Sequence, residues 1–256
     1  ATAALGHVCR LWVPLYEPEF WLGMAFRDRA WPGASGVSLG EAAARRNLLS
    51  AQEASAAILR KLGAQHRVGF SVRGTVCAPA DLDSPWDLRK ARQEHERRHY
   101  RMLREVLRRQ AADFIGLSYY GREELRFSPW NSPPLRTMTG VLRGATSWTP
   151  PTVQAYARGL SELLAEFAGF SIPAIITGNG FATRDDGERC DFLLDHLHFM
   201  VHSIQSGIAV EGYFHWSLLD GFVWRSGYTA RSGLVHVDRN TLTRTPNKSA
   251  FLYRDI

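Results

Sequence analysis

Phe114-Ile115-Gly116-Leu117-Ser118-Tyr119-Tyr120 is a short, mostly apolar run set between two stretches of helical periodicity, residues 85–110 before it and 152–167 after it. A run of this length and content reads as a β-strand, and its flanks read as amphipathic helices. The same arrangement recurs in both directions along the chain. Further β-like runs lie at residues 9–15, 68–72, 174–177 and 210–217, and further helical stretches at 41–62 and 189–206. Gly63 and Gly207 stand where helix C-caps are expected. Strands alternating with helices of this length imply βα units, a parallel sheet and right-handed crossovers. The fold class is therefore α/β. Two long loops, 20–39 and 122–151, are rich in Trp, Pro, Gly and Arg, and long βα loops commonly carry function.

Composition bounds the rest. The 256 residues are 45% hydrophobic and 22% charged, which is globular composition for one large or two small domains. No apolar run approaches the ~18 residues of a membrane-spanning helix, so no membrane role is expected. Cys9, Cys77 and Cys190 are widely spaced and form no CxxC pair. That spacing argues against a disulfide scaffold or zinc module and for a reducing, cytoplasmic compartment. The ten N-terminal residues, beginning Ala1-Thr2-Ala3-Ala4, lack the layout of a signal peptide. The formal charge of +6 comes entirely from residues 89–109, which hold nine Lys or Arg against three Glu. Without a nucleic-acid-binding motif this segment reads as a solvated amphipathic helix, and no nucleic-acid partner is expected.

Three segments carry the candidate chemistry. Leu11-Trp12-Val13-Pro14-Leu15-Tyr16-Glu17-Pro18 is an apolar strand delivering a carboxylate at its C-terminal end, among aromatic neighbours. That is a setting for a general acid, and equally for an ordinary loop glutamate. Ile175-Ile176-Thr177-Gly178-Asn179-Gly180 ends in small polar residues without an ionisable group, and by itself is a turn. Residues 211–224 form a dense aromatic run in which Asp220 reads as a cap or a catalyst. His198 and His202 stand at helical i, i+4 spacing, but the sequence places no further ligand beside them, so no metal is expected.

The order and content of these segments resemble glycoside hydrolase family 1, the retaining β-glycosidases. Trp12…Tyr16-Glu17-Pro18 is similar to the acid/base segment W-x-x-x-N-E-P, and Asp113 to Tyr120 is similar to D-F-I/L-G-I/L-N-Y-Y. Ile176-Thr177-Gly178-Asn179-Gly180 resembles the nucleophile segment I-T-E-N-G. Residues 212–224 resemble G-Y-x-x-W-S-L-x-D-N-F-E-W. Arg231 to Asp238 resembles R-F-G-L-x-x-V-D, and Arg244…Lys248-Ser249-Ala250 the closing R-x-x-K-x-S. The resemblance runs from about Val8 to the C-terminus. It implies one (β/α)8 TIM-type barrel domain over residues 1–256, with only strands four to eight present and the first three βα units without counterpart. The five strands counted from periodicity agree with that.

By the same resemblance Glu17 matches the acid/base, while Gly178 stands where the family has its nucleophilic Glu. Tyr16 replaces the Asn that holds the sugar 2-hydroxyl, Ser118 replaces the Asn of N-Y-Y, Gly221 replaces another Asn, and Val223 replaces a Glu. Tyr120 matches the tyrosine that bonds the nucleophile, and Trp216 and Trp224 match sugar-platform tryptophans. A retaining glycosidase needs two carboxyl groups ~5–5.5 Å apart. The expectation is a β-glycosidase homologue acting on a β-linked sugar or an aryl or alkyl glycoside, without cofactor, and with impaired hydrolysis. The alternatives are a carbohydrate-binding pseudoenzyme and an inactive truncated barrel. The expected protein partner is a complementing N-terminal half or a second copy in a homo-oligomer.

Overall fold

The computed structural model describes residues 2–27, 38–127, 153–223 and 226–256. Helix α1 (Thr2–Leu5) leads into β1 (Leu11–Trp12) and then α2 (Pro18–Leu22), which runs on as a π-helical turn, Gly23–Arg27. Next come α3 (Ser38–Arg60), β2 (Arg67–Pro79), α4 (Pro85–His95), a second π-helical turn at Glu96–Tyr100, and α5 (Arg101–Arg108). The chain continues through β3 (Phe114–Leu125), β4 (Val153–Gln154), α6 (Arg158–Ala168), β5 (Ala174–Asn179), α7 (Asp186–Gln205) and β6 (Val210–His215). It closes with a hairpin of β7 (Val235–Val237) and β8 (Arg244–Pro246), then α8 (Lys248–Asp255).

Five strands, in the order β1-β2-β3-β5-β6, pair in parallel and curl into a half-barrel with helices packed outside. Strand alternation sorts the side chains between two faces. Ile115, Leu117 and Tyr119 point outward into a core shared with Leu49, Leu59, Met102, Leu103, Leu160 and Phe167 of the helices. Ser118 and Tyr120 occupy the alternate, inward face. Buried Gln52 of α3 donates to the carbonyls of Gly69 (3.2 Å) and Ala111 (2.9 Å), satisfying both strand termini from the helix side. Asp113 accepts from the Val68 amide (2.8 Å) and from Arg60 (2.5 Å), locking β2, β3 and α3 together. The expected glycine caps are present: Gly63 (φ +134°) and Gly207 (φ +89°) take up backbone conformations open to glycine.

The structure departs from the periodicity in three places. Within residues 152–167 the helix begins only at Arg158, and Val153 and Gln154 pair antiparallel with Glu123 and Arg122. The reason is that β3 extends past Tyr120 to Leu125 and presents an unpaired edge. The 85–110 stretch is not one helix, because the turn at Glu96–Tyr100 takes an extra residue per turn. That insertion turns His99 into the interior while leaving Met102, Leu103 and Val106 facing the core. The β7–β8 hairpin is the third departure. Most of the two long loops, 28–37 and 128–151, lies outside the described residues. The basic segment is laced with ion pairs, among them Arg98–Glu123 (2.5 Å), Arg101–Glu19 (2.5 Å) and Arg109–Glu53 (2.9 Å).

Candidate active site

Register assembles the site before any side chain is considered. Arg73 of β2 aligns with Ser118 of β3, and Ser118 aligns with Gly178 of β5. These three neighbouring positions form one cross-strand row on the inner face, at the C-terminal end of β5, with β2 and β3 running on beyond it. Active sites of βα barrels are built at that end. Tyr16 and Glu17 reach the row from the turn after β1, and Tyr120 joins from two residues beyond Ser118.

Glu17 sits immediately before α2, where Pro18 fixes the first helical residue. Its backbone is left-handed (φ +47°, ψ +51°) and the residue is 4% exposed. A non-glycine residue held in this region costs roughly 1–3 kcal/mol and marks a position that the surroundings over-determine. Its carboxylate pairs with Arg73 (Oε2 to Nη1, 3.2 Å), both side chains being buried. The other oxygen has no hydrogen-bond partner among the described residues. The Arg73 guanidinium also lies over the rings of Phe20 (4.1 Å) and Tyr120 (4.6 Å).

Around Gly178 the space is lined by hydroxyls. A β-carbon at Gly178 would lie 2.8 Å from the Tyr16 hydroxyl, 2.8 Å from the Tyr120 hydroxyl and 3.7 Å from the Ser118 β-carbon. Ser118 donates to the Tyr16 hydroxyl (3.0 Å) and shares a hydrogen bond with Thr177 (3.2 Å). Burial and the adjacent Glu17 charge hold the Tyr16 phenol above its ordinary range, against the opposing pull of Ser118, Tyr120 and Arg73. The same two influences, burial first, push Tyr120 well above its own. Both phenols are thus neutral hydrogen-bonding groups at physiological pH, with no nucleophilic phenolate.

The other sequence-derived positions divide. Trp216 follows β6, its amide donating to the Asn179 carbonyl (2.9 Å) beside the site. Trp224 lies outside the described residues. Asp220 is a structural clamp: it accepts from the amides of Gly233 (3.0 Å) and Val237 (3.4 Å) and pairs with His236 (2.8 Å). His198 and His202 are exposed on α7, and the described residues include no cluster of three or more metal-ligating side chains. His196 is buried, bonds the Phe192 carbonyl (2.7 Å) and stacks on the Phe192 ring. Arg73 was not among the residues singled out by sequence, although a cation directly after the apolar run Val68–Val72 is a signal of its own.

A family model described as Glycosyl hydrolase family 1 matches residues 98–256, more than half of the chain. The chain belongs to glycosyl hydrolase family 1. It is 29% identical over 250 residues to a 1,4-beta-D-glucan glucohydrolase of Thermotoga neapolitana, covering 82% of this chain and 55% of the relative. A Beta-galactosidase of Pyrococcus woesei is 31% identical over 159 residues, which is 56% of this chain and 31% of that protein. The solved beta-glycosidase from Pyrococcus horikoshii superposes with a TM-score of 0.79 at 27% identity, covering 94% of this chain and 59% of that one. The chain therefore spans about half the length, or less, of the curated family 1 relatives it matches, and its half-barrel is part of their barrel.

Proposed function

We propose that this chain is the C-terminal part of a family 1 β-glycosidase barrel whose hydrolytic step is impaired by the absence of a carboxylate at residue 178. The names of its relatives support β-glucosides and β-galactosides as the ancestral substrates. In the family reaction Glu17 would protonate the leaving oxygen while a second carboxylate attacks the anomeric carbon from the other face. Arg73 would hold Glu17 in place, and Tyr16, Ser118, Tyr120, Trp216 and Trp224 would line the subsite. The observation that carries the impairment is local: two protonated tyrosine hydroxyls crowd the β-carbon position of Gly178, and neither offers negative charge. Loss of a catalytic nucleophile costs up to ~10⁶ in rate in the best-characterised case. The first three βα units would come from a complementing N-terminal half. Free Cys9, Cys77 and Cys190 suit a reducing, cytoplasmic setting.

The test is Gly178→Glu, alone and together with Tyr16→Asn, assayed on aryl β-glucoside and β-galactoside with and without a family 1 N-terminal half. Because the new β-carbon meets the Tyr16 hydroxyl at 2.8 Å, the double substitution should give at least ~10-fold more activity than Gly178→Glu alone. Silence in every combination, from folded protein, would overturn the reading. A second reading, sugar binding without turnover, is favoured by exposed rings near the strand ends. Phe222 is 54% exposed and Tyr228 59% exposed, and the two rings meet edge-on at 5.3 Å. Titration with β-glucosides monitored by tryptophan fluorescence would then saturate in the unsubstituted chain, and a flat trace would remove it.

A further inference from the structure

Helix α2 is only five residues long, too short to be stable by itself in water, yet Glu17 stands at its start. Two grips hold it. From the sheet, Arg73 pairs with the Glu17 carboxylate and lies over the Phe20 ring. From the other side, four arginines converge on Glu19, a buried residue of α2. Arg101 of α5 approaches its Oε1 at 2.5 Å, Arg97 of the second π-helical turn at 3.6 Å and Arg27 of the first at 3.8 Å. Arg45 of α3 stands 3.8 Å from Oε2, and Arg27 also donates to the Glu19 carbonyl (3.3 Å).

This cluster gives the basic segment of the sequence a place in the fold. Arg97 and Arg101 belong to residues 89–109, and both direct charge onto α2. Glu41 of α3 shares Arg27, Arg45 (2.6 Å) and Arg101 (3.3 Å), while Glu94 of α4 takes Arg97. Positive charge is crowded here: burial first, and then Arg97, pushes Arg27 down to about 10 against the pull of Glu41 and Glu19. Of these three carboxylates only Glu19 belongs to α2. Without its charge the guanidinium groups would repel one another, and only the Glu19 carbonyl would remain for them to hold.

We propose that Glu19, clamped by Arg27, Arg45, Arg97 and Arg101, is a positioning residue that holds α2, and with it Glu17, against Arg73. Its carboxylate faces the arginines and acts on the chemistry only through the helix. The catalytic part of the inference rests on Glu17 being the acid/base; the clamp itself does not.

Glu19→Gln keeps the shape of the side chain and removes its charge. Hydrogen exchange followed by mass spectrometry should show residues 16–22 exchanging at least ~10-fold faster than in the unsubstituted chain, with residues 114–120 of β3 changed by less than ~3-fold. Glu41→Gln takes the same charge from the cluster but leaves Glu19 in place, so residues 16–22 should change by less than ~3-fold. Unchanged exchange at 16–22, equal acceleration of β3, or an equal effect of Glu41→Gln would overturn the clamp. If Glu19→Gln does not fold, Arg101→Gln serves instead, with at least ~3-fold faster exchange at 16–22 expected and none overturning it. The catalytic arm adds Glu19→Gln to the chain carrying Gly178→Glu and Tyr16→Asn, together with the family 1 N-terminal half. There kcat/KM should fall at least ~10-fold on phenyl β-glucoside, whose leaving oxygen needs a proton, and less than ~3-fold on dinitrophenyl β-glucoside, whose leaving oxygen does not. An equal loss on both substrates would overturn the positioning of Glu17. No activity before Glu19 is changed, with the exchange result as expected, would sink the reading of Glu17 as acid/base and leave the clamp standing.

Discussion

Glu17 shows how a single side chain can be committed by its surroundings. It combines a left-handed backbone, near-complete burial and one guanidinium partner. Breaking such a pair leaves an uncompensated buried charge, so Arg73→Met should destabilise the fold by about 3–5 kcal/mol in urea titrations at pH 7. A loss below ~1 kcal/mol would mean that Glu17 finds other solvation. His196 gives a prediction of opposite chemistry. Burial lowers its pKa to about 4, overriding the Phe192 carbonyl and Asp195, while the unfolded chain titrates near 6.5. The unfolded state therefore binds the proton first. The stability from a neutral His196 is complete above about pH 6.5 and lost as pH falls toward 4. His215, also lowered to about 4 by burial first and then by Arg189 and His196, acts in the same direction. His196→Gln should flatten the decline of unfolding free energy over this window by up to ~1.4 kcal/mol per pH unit. An unchanged slope would show that His196 is already protonated in the native state.

Among the elements, the attachment of α8 depends on one carboxylate. Asp186, at the start of α7, accepts from the Ser249 amide (2.9 Å) and hydroxyl (2.7 Å) and from Arg189 (2.5 Å). Burial works against the Asp186 charge, yet these bonds prevail and keep its pKa below the usual carboxylate value. Arg189 is itself buried and also donates to the carbonyls of Thr183 (2.8 Å) and Arg231 (2.9 Å). The last helix, the loop before α7 and the chain near Arg231 thus meet at one ionic node. Asp186→Ala removes three bonds to an ionised carboxylate, one of them from a guanidinium, at a cost of about 2–4 kcal/mol. Hydrogen exchange should detect that loss as faster exchange in α8 than in β3. Uniform acceleration across the chain would instead make α8 part of one cooperative unit with the sheet.

For the whole molecule the sheet edges dominate. Among the described residues strand β1 pairs only with β2, and β6 only with β5, so the half-barrel has two outer strands where a closed barrel has none. Strands β2 and β3 are sheltered by α4, α5 and α6, and the inner face carries the site row. Sedimentation velocity of the isolated chain should show association growing with concentration. A family 1 N-terminal half should convert it to a defined one-to-one species. A monodisperse monomer at all concentrations, indifferent to the added half, would contradict the proposal that other polypeptide completes this sheet.

Local signals in the sequence determined much of this protein. Apolar runs of strand length between amphipathic stretches specify βα units, because alternation and helical period are properties of neighbouring residues. The five parallel strands were legible in that way, whereas Ser118, Tyr120 and the role of Gly178 were named only through the resemblance to a family. Non-local geometry decided the rest. The antiparallel Val153–Gln154 pairing exists only because β3 leaves an edge at Arg122 and Glu123. The ion pair of Arg73 with Glu17 joins residues 56 apart, and His95 and Tyr100 both meet Glu166 of α6 from across the chain. Asp220, which sequence alone left between a cap and a catalyst, became a clamp once Gly233 and His236 folded back onto it. Such contacts follow from register and curl, which no window of neighbouring residues contains.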